Sequence, residues 1–147
     1  MARVSAAGRG ITNLPTTLRG PGVFAGATGG ALRVREVGAF NTTVTAVCVG
    51  VAVCTVTGTQ AGALTEYCED DPTRPASAAT AFTSQSTDST LAGTIRQASL
   101  GAAIGSGVIW TFGENGLVIP EGTANGVIIN CPTGTGQFLD FYLIWDE

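Results

Sequence analysis

The sequence predicts an all-β protein: an antiparallel β-sandwich or jelly roll preceded by an extended N-terminal arm. Short runs in which apolar or β-branched residues alternate with polar ones recur along the chain, and clusters of Gly, Pro, Asn or Asp end each run. No stretch shows a sustained helical period. About seven or eight short strands at this spacing are typical of a sandwich or jelly roll.

Residues 1–30 are predicted to form the arm, with a disordered tail as the alternative, and residues 31–147 to form the sandwich. Glycine and proline interrupt the first segment so often that no strand period is sustained. A purely disordered tail is normally poor in apolar residues. The arm is therefore favoured by the apolar residues that this segment contains, namely Ile11, Leu14, Leu18, Val23 and Phe24.

Beyond the arm, the alternating runs predict strands at 32–37, 42–57, 94–100, 108–112, 117–119, 126–131 and 138–145. The last run is the clearest, because large apolar residues occupy every second position, as in a sheet with one face in the core. Its inward set is Leu139, Phe141, Leu143 and Trp145, and its outward set is Phe138, Asp140, Tyr142 and Ile144. Residues 69–91, rich in Ser, Ala and Thr, are expected to form a long loop.

The run 42–57 has one face lined by unusually small side chains. A sheet face of this kind lets another layer or another subunit approach closely, although Gly50 is also compatible with a bulge or a turn. The predicted subunit-interface residues are Ala46, Cys48, Gly50 and Ala52.

Composition indicates a protein that associates with others. Hydrophobic residues make up 44% of the 147 residues and charged residues only 12%, and surface charge is what keeps small domains apart. The net charge of −4 and the absence of a basic cluster argue against a nucleic-acid partner. No apolar run is long enough for a membrane span, and residues 1–30 lack the apolar core of a signal peptide.

The four cysteines, Cys48, Cys54, Cys68 and Cys131, are expected to be reduced and to act as small hydrophobic residues. Their spacing contains no C-x₂₋₄-C pair, so a zinc site is not expected. The acidic run 69–71 lacks the spacing of a calcium loop and is expected to be solvated.

The chain contains few of the residue types that commonly act in catalysis. The chain contains no His and no Lys, which leaves paired carboxylates as the remaining acid–base option, and the sequence singles out no such pair. We therefore expect no catalytic residue and no cofactor. Trp110, Trp145 and Tyr142 offer sugar-stacking as an alternative, but the alternation places Trp145 in the core.

The C-terminal part carries the runs Val108-Ile109-Trp110-Thr111-Phe112-Gly113, Gly116-Leu117-Val118-Ile119-Pro120, Gly122-Thr123-Ala124-Asn125-Gly126 and Leu143-Ile144-Trp145-Asp146-Glu147. Over residues 37–147 the chain resembles the small β-sandwich structural proteins of tailed bacteriophages, in particular jelly-roll capsid decoration (cement) proteins. These proteins sit on the capsid as trimers and work by surface complementarity.

The resemblance implies a virion protein on the outer surface of the head. As a homotrimer it would bridge subunits of the major capsid protein and so stabilise the assembled shell. A phage tail, fibre or host-adhesion module with the same fold is the alternative. The capsid-contact candidates are the apolar and basic residues of the arm, namely Arg9, Ile11, Leu14, Leu18 and Arg19.

Overall fold

The computed structural model describes residues 1–12, 17–56, 58–74 and 77–147, and Leu14 lies outside this set. The described residues form twelve strands: β1 (Arg3–Ile11), β2 (Gly22–Phe24), β3 (Leu32–Asn41), β4 (Val47–Val56), β5 (Gln60–Ala63), β6 (Tyr67–Cys68), β7 (Thr80–Gln85), β8 (Thr90–Leu100), β9 (Gly107–Thr111), β10 (Leu117–Ile119), β11 (Gly126–Asn130) and β12 (Phe138–Asp146).

The strands form two antiparallel sheets. Sheet A has the order β10-β3-β12-β1-β6, and β9 pairs with the part of β3 that β10 leaves free. Sheet B has the order β5-β7-β2-β11-β4-β8. The two sheets pack face to face, so the predicted antiparallel β-sandwich is confirmed, while its finer description as a jelly roll stays a prediction.

The core lies between the sheets and consists of alternate residues from each strand. All four predicted inward residues of β12 are buried, and Trp145 is completely so. From sheet B, β4 contributes Val47, Val49 and Val51 to the same cluster. Strict alternation in β12 therefore marked the buried face correctly, because successive side chains of a strand point to opposite faces.

The prediction of an arm outside the domain is wrong for the described part of residues 1–30. Strand β1 pairs with β12 over nine residues, from Arg3 opposite Asp146 to Ile11 opposite Phe138. Strand β2 lies inside sheet B between β7 and β11. Strand β1 could not be recognised in the sequence because its buried face carries small residues. Gly10 is an example, since a Cβ at this position would lie 2.4 Å from the Thr83 carbonyl oxygen of β7. Close approach of sheet B requires glycine there.

Two further expectations need correction. Residues 69–91 are not one long loop, because β7 runs through them and buries Ala81 and Phe82. The strand expected at 42–57 begins only at Val47, and residues 42–46 form a loop instead.

A second, smaller apolar cluster lies on the outer face of sheet B. The rings of Phe24 and Phe82 are 4.3 Å apart between centroids, and Ala52, Cys54 and Ile128 complete the cluster. Leu18 and Leu91 pack over it, so the chain covers this part of the outer face with its own residues.

Candidate contact surfaces

The first candidate surface lies at one end of the sandwich, where three loops meet: residues 42–46, 101–106 and 131–137. We call this region the loop end. It exposes Val44 and Ile104, with 75% and 71% of their surface accessible, and Phe138 at the adjoining start of β12. Large exposed apolar side chains gathered in one region make it a candidate for contact with another protein.

Hydrogen bonds from Asn41 hold the loop end together. This side chain is buried, and its amide nitrogen donates to the carbonyl oxygens of Thr45 at 2.7 Å and Gly101 at 3.0 Å. Its amide oxygen accepts from the Thr43 backbone N–H at 3.0 Å. Thr43 in turn is hydrogen-bonded to the side chain of Gln137 at 3.0 Å. The three loops are therefore cross-linked through one buried amide and its neighbour.

The second candidate surface is the outer face of sheet A, where two aromatic rings lie over glycines of neighbouring strands. A Cβ at Gly38 would lie 2.2 Å from the Tyr142 ring, and a Cβ at Gly107 would lie 2.2 Å from the Phe40 ring. Each ring thus occupies the space that a side chain of the neighbouring strand would need. The ring centroids are 6.3 Å apart and the planes differ by 26°. We call this pair the aromatic platform.

Polar groups surround the aromatic platform. Opposite Phe40 and on the same face, Asp140 accepts hydrogen bonds from Arg9 at 2.6 and 3.0 Å in an exposed, bidentate ion pair. The Tyr142 hydroxyl donates to Glu36 at 2.5 Å. Burial and the neighbouring Glu36 carboxylate raise the pKa of Tyr142 to about 12, so this hydroxyl stays protonated at neutral pH.

A shallow depression adjoins the aromatic platform. It has a volume of about 290 Å³, and Tyr142, Ile144, Ala7, Ser5, Tyr67 and Glu69 line it. Tyr67 stands at its rim with 67% of its surface exposed. Its lining combines apolar side chains with a few polar groups, which is the usual character of a small-molecule site.

The predicted subunit-interface residues do not form one open face. Ala52 is fully buried in the outer cluster of sheet B. The space above Gly50 is filled by Thr94, Asn130 and Pro132. Ala46 and Cys48 remain accessible and line a depression of about 220 Å³ beside residues 133–135 of the loop end. The small residues of β4 do allow other atoms to approach the strand closely. At Gly50 and Ala52, however, these atoms belong to the same chain and not to a second subunit.

The predicted capsid-contact residues are dispersed. Arg9 is paired with Asp140 on the outer face of sheet A, whereas Arg19 is paired with Asp88 at 2.6 Å. Ile11 ends β1 opposite Phe138, and Leu18 packs on the outer cluster of sheet B. Leu14 lies outside the described residues. Since Leu18 is used within the domain, these residues do not act together as one free arm.

In a third region, two carboxylates stabilise the fold through hydrogen bonds. A cavity of about 150 Å³ is lined by Glu66, Glu147, Arg74 and Tyr67, among others. Glu66 accepts from the Ala81 backbone N–H at 2.7 Å, and Glu147 accepts from the Ser77 hydroxyl at 2.7 Å. Burial raises the pKa of Glu66. Both carboxylates therefore hold the beginning of β7 in place. These hydrogen bonds give the two groups a structural role.

In the acidic run 69–71, Asp70 accepts from the Arg3 backbone N–H at 2.7 Å, and Asp71 accepts from the Thr73 hydroxyl at 2.7 Å. Within the described ranges, no three His, Cys, Asp or Glu side chains are grouped as a metal site requires.

The four cysteines are free thiols, and both tryptophans lie in the core. Cys54 and Cys131 are buried thiols, and burial raises the pKa of Cys54 to about 11. A thiol with so high a pKa is a poor nucleophile at neutral pH. Trp145 is fully buried as expected, and Trp110 is 9% exposed. Of the three residues considered for sugar-stacking, only Tyr142 lies on an open face.

Strand β8 forms an exposed edge of sheet B. Such an edge invites pairing with another chain. Here the pairing of β8 with β4 shifts register at three places, next to Val51, Val53 and Cys54. The Arg96 guanidinium lies 5.6 Å from the centroid of the Phe112 ring. Bulges and a charge on an edge strand oppose edge-to-edge pairing, so β8 is the weakest of the candidate surfaces.

Comparisons with protein-family models, curated proteins and solved structures found no match to this chain. No helix among the described residues is long and apolar enough to cross a membrane. The outward set of β12 was visible in the sequence, including Tyr142. The aromatic platform was not, because it depends on Gly38 and Gly107 of other strands, and only the cross-strand register brings them beneath the rings.

Proposed function

We propose that this chain is a capsid decoration protein of a tailed bacteriophage, which binds the outside of the assembled head and docks on the major capsid protein through its loop end. The observation that carries the proposal is the loop end itself. Val44 and Ile104 are exposed apolar residues on loops that Asn41 already holds in place. Docking of ordered loops costs less conformational entropy than docking of a mobile tail.

Low charge supports contact with a protein surface. Charged residues make up only 12% of the chain, and interface cores are depleted in charge. A protein that binds only the assembled lattice stabilises it by mass action. As a homotrimer at a local three-fold position, the chain would present three loop ends to neighbouring coat subunits, and simultaneous binding raises the apparent affinity without any new contact.

The proposal is tested by co-sedimentation with undecorated heads of the encoding phage. The double variant Val44→Ser, Ile104→Ser is expected to bind at least about ten-fold more weakly than the parent chain, since two apolar contacts are lost. Val56→Ser, Val118→Ser is the matched control, because these residues are also exposed but lie at the opposite end of the sandwich. Equal binding of both variants, or no binding of the parent chain, contradicts the proposal.

A tail, fibre or host-adhesion module is the second candidate, and the aromatic platform favours it. Immunogold labelling of intact particles separates the two candidates. Label over the head supports decoration, and label confined to the tail supports the alternative.

A further inference from the structure

We propose that the outer face of sheet A binds a neutral glycan, with a pyranose ring stacked on the aromatic platform and a neighbouring sugar in the adjoining depression. This activity is separate from docking at the loop end. It uses Tyr142, Phe40 and Tyr67 for apolar contact, and Arg9 with Asp140 for hydrogen bonds to hydroxyl groups.

The orientation of the rings is the first reason. Tyr142 lies over Gly38, Phe40 lies over Gly107, and the two ring planes differ by only 26°, an arrangement that fits two rings presenting their faces side by side. Aromatic residues that anchor a protein partner usually project into a pocket of that partner. Flat rings instead suit a flat ligand, and the C–H groups on one side of a pyranose pack well on the electron-rich face of an aromatic ring.

The polar groups are the second reason. Hydroxyl groups of a stacked sugar project sideways, in the plane of its ring, where they need both donors and acceptors. Arg9 and Asp140 offer both on the same face as Phe40, with 62% and 53% of their side chains exposed. A few directed polar groups beside an apolar surface fix the orientation of a small ligand.

The hydrogen bond from Tyr142 to Glu36 is the third reason. It ties the hydroxyl at 2.5 Å, which fixes the ring in its flat position before any ligand binds. Preorganisation of this kind reduces the entropy cost of binding.

The charge of the surface selects the ligand class. Arg9 is neutralised by Asp140. In the part of the chain that the structure describes, no arginine forms an ion pair with Glu36 or with Glu69 at the depression. Glu36 beside Tyr142 and Glu69 at the depression are negative groups close to the bound sugar, whereas Arg3 and Arg35 on the same face are held by Asp146. A neutral hexopyranose polymer is therefore favoured over an acidic one.

The test is affinity electrophoresis of the intact protein in gels that contain a defined soluble polysaccharide. The neutral probes are mannan, galactan, mixed-linkage β-glucan and hydroxyethyl cellulose, and the acidic probe is polygalacturonate. Retardation by at least one neutral probe, and none by polygalacturonate, is the expected result. Unchanged mobility in all neutral gels, or retardation by polygalacturonate alone, overturns the proposal.

Variants locate the site. Tyr142→Ala and Tyr67→Ala are expected to raise the dissociation constant for the retarding probe about ten-fold or more, because each removes a stacking ring. Tyr142→Phe keeps the ring but removes its hydrogen bond to Glu36, so it is expected to weaken binding, though less than Tyr142→Ala does. Phe138→Ala is the matched control, since it removes an exposed aromatic ring from the same strand outside the aromatic platform. Binding that survives both alanine variants overturns the assignment.

Two controls separate loss of glycan contact from unfolding and from self-association. Thermal melting of each variant shows whether lost binding reflects lost structure; if Tyr142→Ala unfolds, Tyr67→Ala at the exposed rim decides. Light scattering coupled to size exclusion shows whether the aromatic platform is a subunit contact. Dissociation of an oligomer by Tyr67→Ala or Tyr142→Ala means that the face is covered by another copy and overturns glycan binding there.

Discussion

At the scale of single residues, a few buried polar groups hold the sandwich and set its surfaces. Asp146 is 6% exposed and accepts from Arg35 at 2.5 Å and from Arg3 at 3.3 Å. It ties the beginnings of β1 and β3 to the end of β12. The alternation of β12 correctly placed its apolar residues, but this ionic cluster was not predictable, because its members are distant in the chain and meet only through the strand register.

Asp146→Asn is expected to lower the free energy of unfolding by about 1–3 kcal/mol, since it leaves two partly buried guanidinium groups without their charged partner. Urea unfolding followed by tryptophan fluorescence measures the change. Asp88→Asn serves as the control, because its ion pair with Arg19 is exposed and is expected to contribute less than about 1 kcal/mol. Equal effects of the two substitutions contradict this interpretation.

Tyr142 is expected to titrate late. The chain contains two tyrosines, so Tyr67→Phe leaves Tyr142 as the only one. Tyrosinate absorbance of that variant should rise with a midpoint near 12, and a further Glu36→Gln should lower the midpoint by removing a neighbouring negative charge. A midpoint at the ordinary value of 10 in the folded protein contradicts the assignment.

The raised pKa of Tyr142 also makes the stability of the fold depend on pH. The folded state holds the Tyr142 proton more tightly than the unfolded chain, because its pKa is raised from 10 to about 12. The resulting stabilisation is fully present below pH 10 and is lost as the pH rises through 12. Tyr142→Phe should therefore flatten the dependence of stability on pH in this window.

At the scale of elements, the long alternating runs were predictable, whereas β1, β2, β5, β6 and β7 were missed. β10 was predicted at its observed bounds, and β11 and β12 within one residue of theirs. β1 and β7 were missed because their sequences, RVSAAGRGI and TAFTSQ, carry Ala, Gly, Ser and Thr where a core face normally carries Val, Ile or Leu. Tight packing between β1 and β7 requires those small residues, as Gly10 beside Thr83 demonstrates.

Deletion of residues 1–20 tests the place of β1. The truncation removes the partner of β12 along nine residues, together with the core residues Val4 and Ala6. We expect no cooperative thermal transition in circular dichroism. A truncated chain that melts at the temperature of the full-length chain would restore the interpretation of this segment as an arm.

Asn41→Ala tests the rigidity of the loop end. The substitution removes two hydrogen bonds to carbonyl oxygens and the acceptor for the Thr43 N–H. Amide hydrogen exchange in residues 42–46 and 101–106 is expected to accelerate by about ten-fold or more, since the loops lose their common anchor. Asn125→Ala is the control, because its side chain bonds only the exposed turn at Glu121. Unchanged exchange in both loops contradicts the role of Asn41.

At the scale of the whole molecule, one sandwich presents two separate surfaces: an apolar loop end and, along sheet A, the flat aromatic platform. The sandwich itself was predictable from alternation and turn residues. Neither surface was, because the loop end depends on contacts of Asn41 across 60 residues and the platform depends on glycines of neighbouring strands. Within the predicted interface set, Gly50 and Ala52 are approached by atoms of the same chain, whereas Ala46 and Cys48 remain accessible.

The most direct test of the proposed function is a density map of the phage particle to which the proposal assigns this chain, because the map shows the position and orientation of the chain. Density on the outside of the head, at a local three-fold position and with Val44 and Ile104 against the major capsid protein, is the predicted result. Density on the tail, or on the head with the loop end facing solvent, would contradict it.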